Sequence, residues 1–188
     1  MIPICLILFI LFIAVITFAI MRADSAQAKV TEEFWEKERK ANSTLRGDTT
    51  DLCYITIPEK FFPLNNDKIN DLRDKTLVNL TGMTNTDLKL KYGVANLEAL
   101  TEYEDNYTLL IKNLAVLGHI LKEQDDITDA THYLEYSIRI GSDIRSCYAD
   151  LKDIYISQNH TEKVDKLRQY ASMIKSVNKE LIINLLND

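Results

Sequence analysis

The chain is poor in the residues that interrupt helices. Glycine occurs five times and proline three times in 188 residues, and proline is confined to positions 3, 58 and 63. Because glycine and proline are the strongest local breakers of helices, a chain with so few of them favours long helical segments. The composition therefore predicts an all-α protein.

Excess positive charge and clustered cysteines are also lacking. The net charge is −6, which argues against a nucleic-acid-binding protein because such proteins present a basic face. The three cysteines, Cys5, Cys53 and Cys147, form no C-x-x-C pair. Cys53 and Cys147 could form a disulfide. Free thiols are the favoured interpretation if the domain lies in a reducing compartment.

Motifs of catalysis and metal binding are missing. The sequence contains no H-E-x-x-H, no C-x-x-C and no glycine-rich phosphate loop. His119 with Glu123, and His132 with Glu135, have helical spacing, and we expect surface salt pairs there because neither pair has an evident third metal ligand. The remaining acidic cluster lacks the glycine and spacing of a calcium loop: Glu123, Asp125, Asp126 and Asp129. We therefore expect no enzymatic activity, no cofactor and no bound metal.

One long apolar run stands at the N-terminus. No charged residue occurs in residues 1–21, and residues 2–21 read IPICLILFILFIAVITFAIM. A helix of 20 residues spans about 30 Å, the thickness of the hydrocarbon core of a bilayer. Signal peptides have a basic start and an apolar core of about 7–15 residues, so this run favours a retained transmembrane anchor. Ala26-Gln27-Ala28 resembles a cleavage site, which leaves open a secreted helical domain after cleavage near Ala28.

The charges that flank this run predict its orientation. No basic residue precedes it, whereas five follow it closely: Arg22, Lys29, Lys37, Arg39 and Lys40. Lysines and arginines near a span remain on the cytoplasmic side. The sequence therefore predicts a single-pass membrane protein whose C-terminal domain lies in the cytoplasm.

Residues 22–63 connect this anchor to the rest of the chain. Residues 24–42 are charged and helical in pattern, with an apolar stripe of Val30, Phe34 and Trp35. Trp35 lies 14 residues beyond Met21, about 21 Å along a straight helix, so we expect the stripe to contact the domain or a partner helix. A polar hinge over 43–51 and a short extended segment near 52–57 (LCYITI) complete the linker.

Residues 64–188 form the predicted helical repeat domain. Apolar residues recur there at helical spacing, and the pattern predicts helices at 66–80, 87–103, 107–123, 127–140, 143–157, 161–175 and 178–187. Gly82 and Gly141 are expected to end helices, and Asp126 to cap one. Asn159 with Glu162 three residues on is similar to a capping box.

A 34-residue period relates the middle helices. Five positions of one helix pair coincide with five of the next: Leu114 with Tyr148, Leu117 with Leu151, Leu121 with Tyr155, Ala130 with Val164, and Ser137 with Ala171. Large residues line the first helix of each pair, and small or medium residues line the second. This distribution favours helical hairpins that stack on each other.

The repeated segment resembles the tetratricopeptide repeat. Leu117-Gly118-x-x-Leu121 stands where that family has Leu-Gly-x-x-Tyr, and Ala130 stands where it has its central Ala. The resemblance covers about residues 114–174 and implies a stack of about seven helices in 64–188. It also implies a binding module that holds a protein or peptide in the face lined by the first helix of each pair.

On this resemblance the expected partner groove consists of six residues: Lys112, Ala115, His119, Lys122, Ala149 and Asp153. The same positions could also be an ordinary solvated helix face. The predicted function is a membrane-tethered scaffold or adaptor whose partners are the lipid bilayer and an unknown protein or peptide. The alternative is a structural subunit of a membrane complex, assembled through the anchor and the juxtamembrane contact of Val30, Phe34 and Trp35. The sequence leaves the oligomeric state open.

Overall fold

The fold is helical, as the sequence predicts. A computed structural model describes residues 4–62 and 66–188 of the chain. The helices of this part are α1 Ile4–Ser43, α2 Asp67–Asn70, α3 Asn85–Tyr92, α4 Leu97–Glu123, α5 Ile127–Arg139, α6 Arg145–Ser157, α7 Thr161–Met173 and α8 Lys179–Asn187. Short 3-10 turns occur at Glu59–Phe61 and Val94–Asn96. The chain divides into two compact units.

From Ile4 onward, the apolar run and the charged segment after it form one helix. The structure joins them in α1, which has 40 residues and contains neither glycine nor proline. The most apolar window of Leu6–Ser43 has a mean hydropathy of 2.7, and none of that window is buried. Among the described residues, α1 is the helix long and apolar enough to cross a membrane.

The first unit comprises the described residues up to Gly47 together with Asn85–Ala95. Its two helices, α1 and α3, are held together by polar contacts. Lys37 Nζ lies 2.8 Å from Asp87 Oδ1, and Lys89 Nζ lies 3.3 Å from Glu38 Oε2. A hydrogen bond from the Thr86 hydroxyl lowers the pKa of Glu38, and Lys89 lowers it further. The end of α1 is therefore fixed by α3.

The second unit begins with the extended segment. Ile55 N–H donates to the Leu77 carbonyl at 2.9 Å, and Tyr54 forms an isolated antiparallel bridge with Val78. The predicted extended segment near 52–57 is confirmed in this form, whereas the predicted helix at 66–80 is wrong. That helix stops after α2, because Leu77 and Val78 are buried in an extended conformation and pair with the linker.

The expected break between 103 and 107 is also absent. α4 runs without interruption from Leu97 to Glu123. Asn106 does not end the helix, because its side-chain amide donates to the Thr76 carbonyl at 3.1 Å instead of competing with the helix backbone. The preceding helix, α3, ends at Tyr92 and is followed by Gly93, whose φ of 83° is easily adopted only by glycine.

The helices from α5 onward begin and end close to the predicted positions. Asp126 caps α5 by accepting a hydrogen bond from the Asp129 N–H at 3.2 Å, and Gly141 (φ 93°) follows its end. The capping box predicted at Asn159 and Glu162 is wrong. Asn159 has a left-handed φ of 60° and ends α6, and His160 N–H bonds back to the Tyr155 carbonyl at 2.8 Å.

Helices α4 to α8 pack in sequential order, each on the next, and α6 also packs on both α4 and α8. One apolar cluster joins α4 and α5 to the segment that precedes α4, and a second is shared by α4 to α8. The positions related by the 34-residue period point into these clusters. Eight of them are buried: Leu114, Ala130, Ser137, Tyr148, Leu151, Tyr155, Val164 and Ala171.

Candidate protein-interaction surface

The outward face of α4 carries exposed apolar side chains. Leu109, Val116 and Ile120 are 43%, 59% and 44% exposed. Their spacing of seven and four residues places them along one side of the helix, away from the buried stripe that contains Leu110 and Leu114. Grouped apolar residues that stay in water mark interaction sites more often than isolated ones do.

A shallow pocket of about 470 Å³ adjoins this face, between α4 and the start of α6. Its walls are mostly apolar and include one lysine and one histidine. We refer to the lining residues together as the α4–α6 surface: Lys112, Ala115, Val116, His119, Ile120, Ile144 and Ser146.

The structure brings part of the predicted groove together here. Lys112, Ala115 and His119 all line the pocket. Lys122 and Asp153 do not line the pocket. Lys122 Nζ lies 2.9 Å from Asp153 Oδ2 and shares the Asp150 carboxylate with His119, at the edge of the pocket. The sixth predicted residue, Ala149, is half-buried on α6 and does not line the pocket.

A buried carboxylate, Asp150, connects the two helices at this edge. Its oxygens lie 3.0 Å from His119 Nδ1 and 2.8 Å from Lys122 Nζ, and its side chain is 9% exposed. Burial alone lowers the pKa of Lys122, but its hydrogen bonds with Asp150 and Asp153 outweigh this effect, so the pKa is raised. The cluster therefore joins α4 to α6 through charged hydrogen bonds.

Sequence reasoning missed Asp150, Val116, Ile120 and Ile144. Asp150 could have been found, because Cys147, Asp150, Leu151 and Ile154 follow the i, i+3, i+4, i+7 pattern of a buried face. A charged residue at such a position requires oppositely charged partners. Val116 and Ile120 carry a weaker signal, since they are apolar but lie outside the core stripe of α4.

The predicted juxtamembrane residues are exposed on α1. Val30, Phe34 and Trp35 are 66%, 51% and 56% exposed. The rings of Phe34 and Trp35 form an edge-to-face pair with centroids 5.3 Å apart. The structure thus presents an apolar stripe without burying it.

The other candidate groups have structural contacts. His119 Nε2 lies 3.5 Å from Glu123, as expected of a surface pair, and His132 stacks on Phe61 with ring centroids 4.3 Å apart. Cys147 is a buried free thiol whose pKa is raised to about 11, chiefly by burial. Cys53 is also free but exposed. No group of three or more metal-binding side chains was found in the described part of the chain.

No protein-family model, curated protein or solved structure matches this chain. The tetratricopeptide resemblance therefore depends on the residues that the 34-residue overlay brings into register. It stays a prediction, and the exposed surfaces of the molecule are the basis for inferring its function.

Proposed function

We propose that the protein is a membrane-tethered scaffold whose helical domain binds a partner protein through the α4–α6 surface. The observation that carries this proposal is the exposed apolar face of α4. Val116 and Ile120 line the same pocket as three residues of the groove that the repeat register predicts, Lys112, Ala115 and His119. A partner that buries these side chains gains about 25 cal/mol per Å² of apolar area removed from water.

The tether in this proposal is α1. Its apolar part is long enough for a bilayer, and none of its most apolar window is buried within the described residues. The bases after Met21 favour a cytoplasmic position for the helical domain. Confinement to a membrane raises the effective concentration of a partner in the same membrane, so a small docking surface can suffice.

The stacking in this proposal is tetratricopeptide-like. Sequential packing from α4 to α8, together with the additional packing of α6 on α4 and α8, is what a stack of hairpins requires. In such a stack the first helices of successive pairs line one face. The α4–α6 surface lies between two of these first helices, which supports its use as the docking face.

Photo-crosslinking tests the docking surface. We expect benzoylphenylalanine at position 116 to capture a discrete partner in native membranes, whereas the same probe at Lys68, an exposed position on α2, should capture none. Ile120→Asp should remove the crosslink while changing the free energy of unfolding by only about 0.5 kcal/mol, since Ile120 is exposed. Equal capture from both positions would contradict the proposal.

A second candidate, a structural subunit of a membrane complex, is favoured by the exposed Phe34–Trp35 pair on α1. A partner helix could cover this stripe. Crosslinks from Trp35, with none from position 116, would support the subunit and exclude the docking surface.

A further inference from the structure

A basic groove lies along α5 and α7 and shares no lining residue with the α4–α6 surface. Two adjoining pockets of about 460 and 290 Å³ share Ile138, Arg139 and Tyr170, so together they form one groove. The first pocket extends to Cys53 and Lys175. We call the combined feature the α5–α7 groove.

The charge of this groove is opposite to that of the chain. Arg139, Lys163, Lys166 and Lys175 line it, whereas Glu135 is the one carboxylate among its described lining residues. The whole chain has a net charge of −6. Concave sites lined by one sign of charge concentrate the electrostatic field and attract ligands of the opposite sign.

Most of these cations are available to a ligand. In the described residues Arg139, Lys166 and Lys175 make no ion pair, and Lys163 Nζ lies 3.8 Å from Glu135 Oε1. Glu135 is already occupied, because Tyr155 donates its hydroxyl hydrogen to it at 2.6 Å. Burial, and then this hydrogen bond, raise the pKa of Tyr155, so the phenol keeps its proton.

Apolar and aromatic groups lie between the charges. Ile138 is buried at the floor, Tyr170 is half-buried, and Ile174 lines the end near Lys175. The Arg139 guanidinium also lies 5.4 Å from the Tyr136 ring centroid, outside the groove lining. An extended chain has side chains that alternate between two directions, so it can meet both the cations and the apolar floor.

We propose that the α5–α7 groove binds an acidic segment of a partner protein, in which carboxylates alternate with apolar or aromatic side chains. Carboxylates would accept charge-assisted hydrogen bonds from Arg139 and Lys166, and the apolar residues would lie on Ile138 and Tyr170. Acidic motifs are recognised by clustered cations in this way. A bilayer is a weaker fit, because its flat array of headgroups does not enter a groove. This site is separate from the α4–α6 surface.

The test uses the full-length protein in a nonionic detergent and a fluorescein-labelled peptide, Glu-Ile-Glu-Tyr-Glu-Ile-Glu. We expect saturable binding, weakened by added salt because screening reduces the attraction between charges. Arg139→Glu with Lys166→Glu should raise Kd by about tenfold or more. The matched control is Lys68→Glu with Lys75→Glu, which makes the same change of net charge at two exposed lysines outside the groove.

Cys53 supplies a second readout, because it lines the groove and is exposed. In a Cys5→Ser background, the peptide should slow maleimide labelling of Cys53, while buried Cys147 stays unlabelled at pH 7. The proposal is overturned if the peptide does not bind saturably, if both charge-reversal pairs weaken binding equally, or if Cys53 is not protected. Equal binding of a peptide with lysine in place of glutamate would overturn it as well.

Discussion

Replacing Gly118 with valine is expected to lower the free energy of unfolding of the helical domain by about 3 kcal/mol. A Cβ atom at position 118 would lie 2.5 Å from Cγ and 2.6 Å from Cδ2 of Leu134. Leu134 is fully buried in α5 and cannot move into solvent. The two helices must therefore separate, or Leu134 must leave its rotamer.

Urea denaturation followed by far-UV circular dichroism measures this loss. Lys112→Val is the matched control, because it adds the same β-branched residue to α4 at an exposed position and should cost about 0.5 kcal/mol. Leu134→Ala alone should cost about 3 kcal/mol, yet the double variant with Gly118→Val should cost clearly less than the sum. Additive losses would show that the two positions do not meet.

Replacing Lys122 with methionine is expected to cost about 2 kcal/mol, because it leaves the Asp150 carboxylate buried with His119 as its remaining close partner. This loss is smaller than that for a fully buried ion pair, because 24% of the Lys122 side chain is exposed to solvent. The same change should loosen the contact between α4 and α6 at the edge of the α4–α6 surface.

Lys112→Met is the control for this variant, since Lys112 lies on the same helix and is exposed. It should change stability by less than about 0.5 kcal/mol. Because the folded-state pKa of Lys122 is raised, its contribution is complete at pH 7 and is lost only as the pH rises through that pKa. Equal denaturation midpoints for the two variants at pH 7 would contradict the assigned contact.

The sequence predicted the helices near the C-terminus correctly but failed in the segment 66–80. Helices α5 to α8 begin and end within two residues of their predicted positions. Their apolar period is strong, Asp126 caps α5, and the left-handed residues Gly141 and Asn159 separate α5, α6 and α7. The segment 66–80 has a helical composition, but Leu77 and Val78 pair with the linker. That long-range pairing is invisible to a local pattern, so the helix prediction failed there.

The part of the candidate surface that lies on α4 was predicted from the sequence, whereas its contacts with α6 were not. The 34-residue register placed Lys112, Ala115 and His119 on one face of α4, and these residues line the pocket. The register did not indicate Asp150, whose partners His119 and Lys122 lie 31 and 28 residues away in the sequence. Contacts between helices depend on how those helices cross, which the spacing within each helix does not specify.

Protease treatment of sealed right-side-out vesicles, read by intact mass, tests most directly whether α1 holds the helical domain on the cytoplasmic side of a membrane. We expect the chain of 21.6 kDa to stay intact without detergent and to be digested once detergent opens the vesicles. Digestion from outside would contradict the topology. A chain that begins near Lys29 and is released from the vesicles would contradict the anchor.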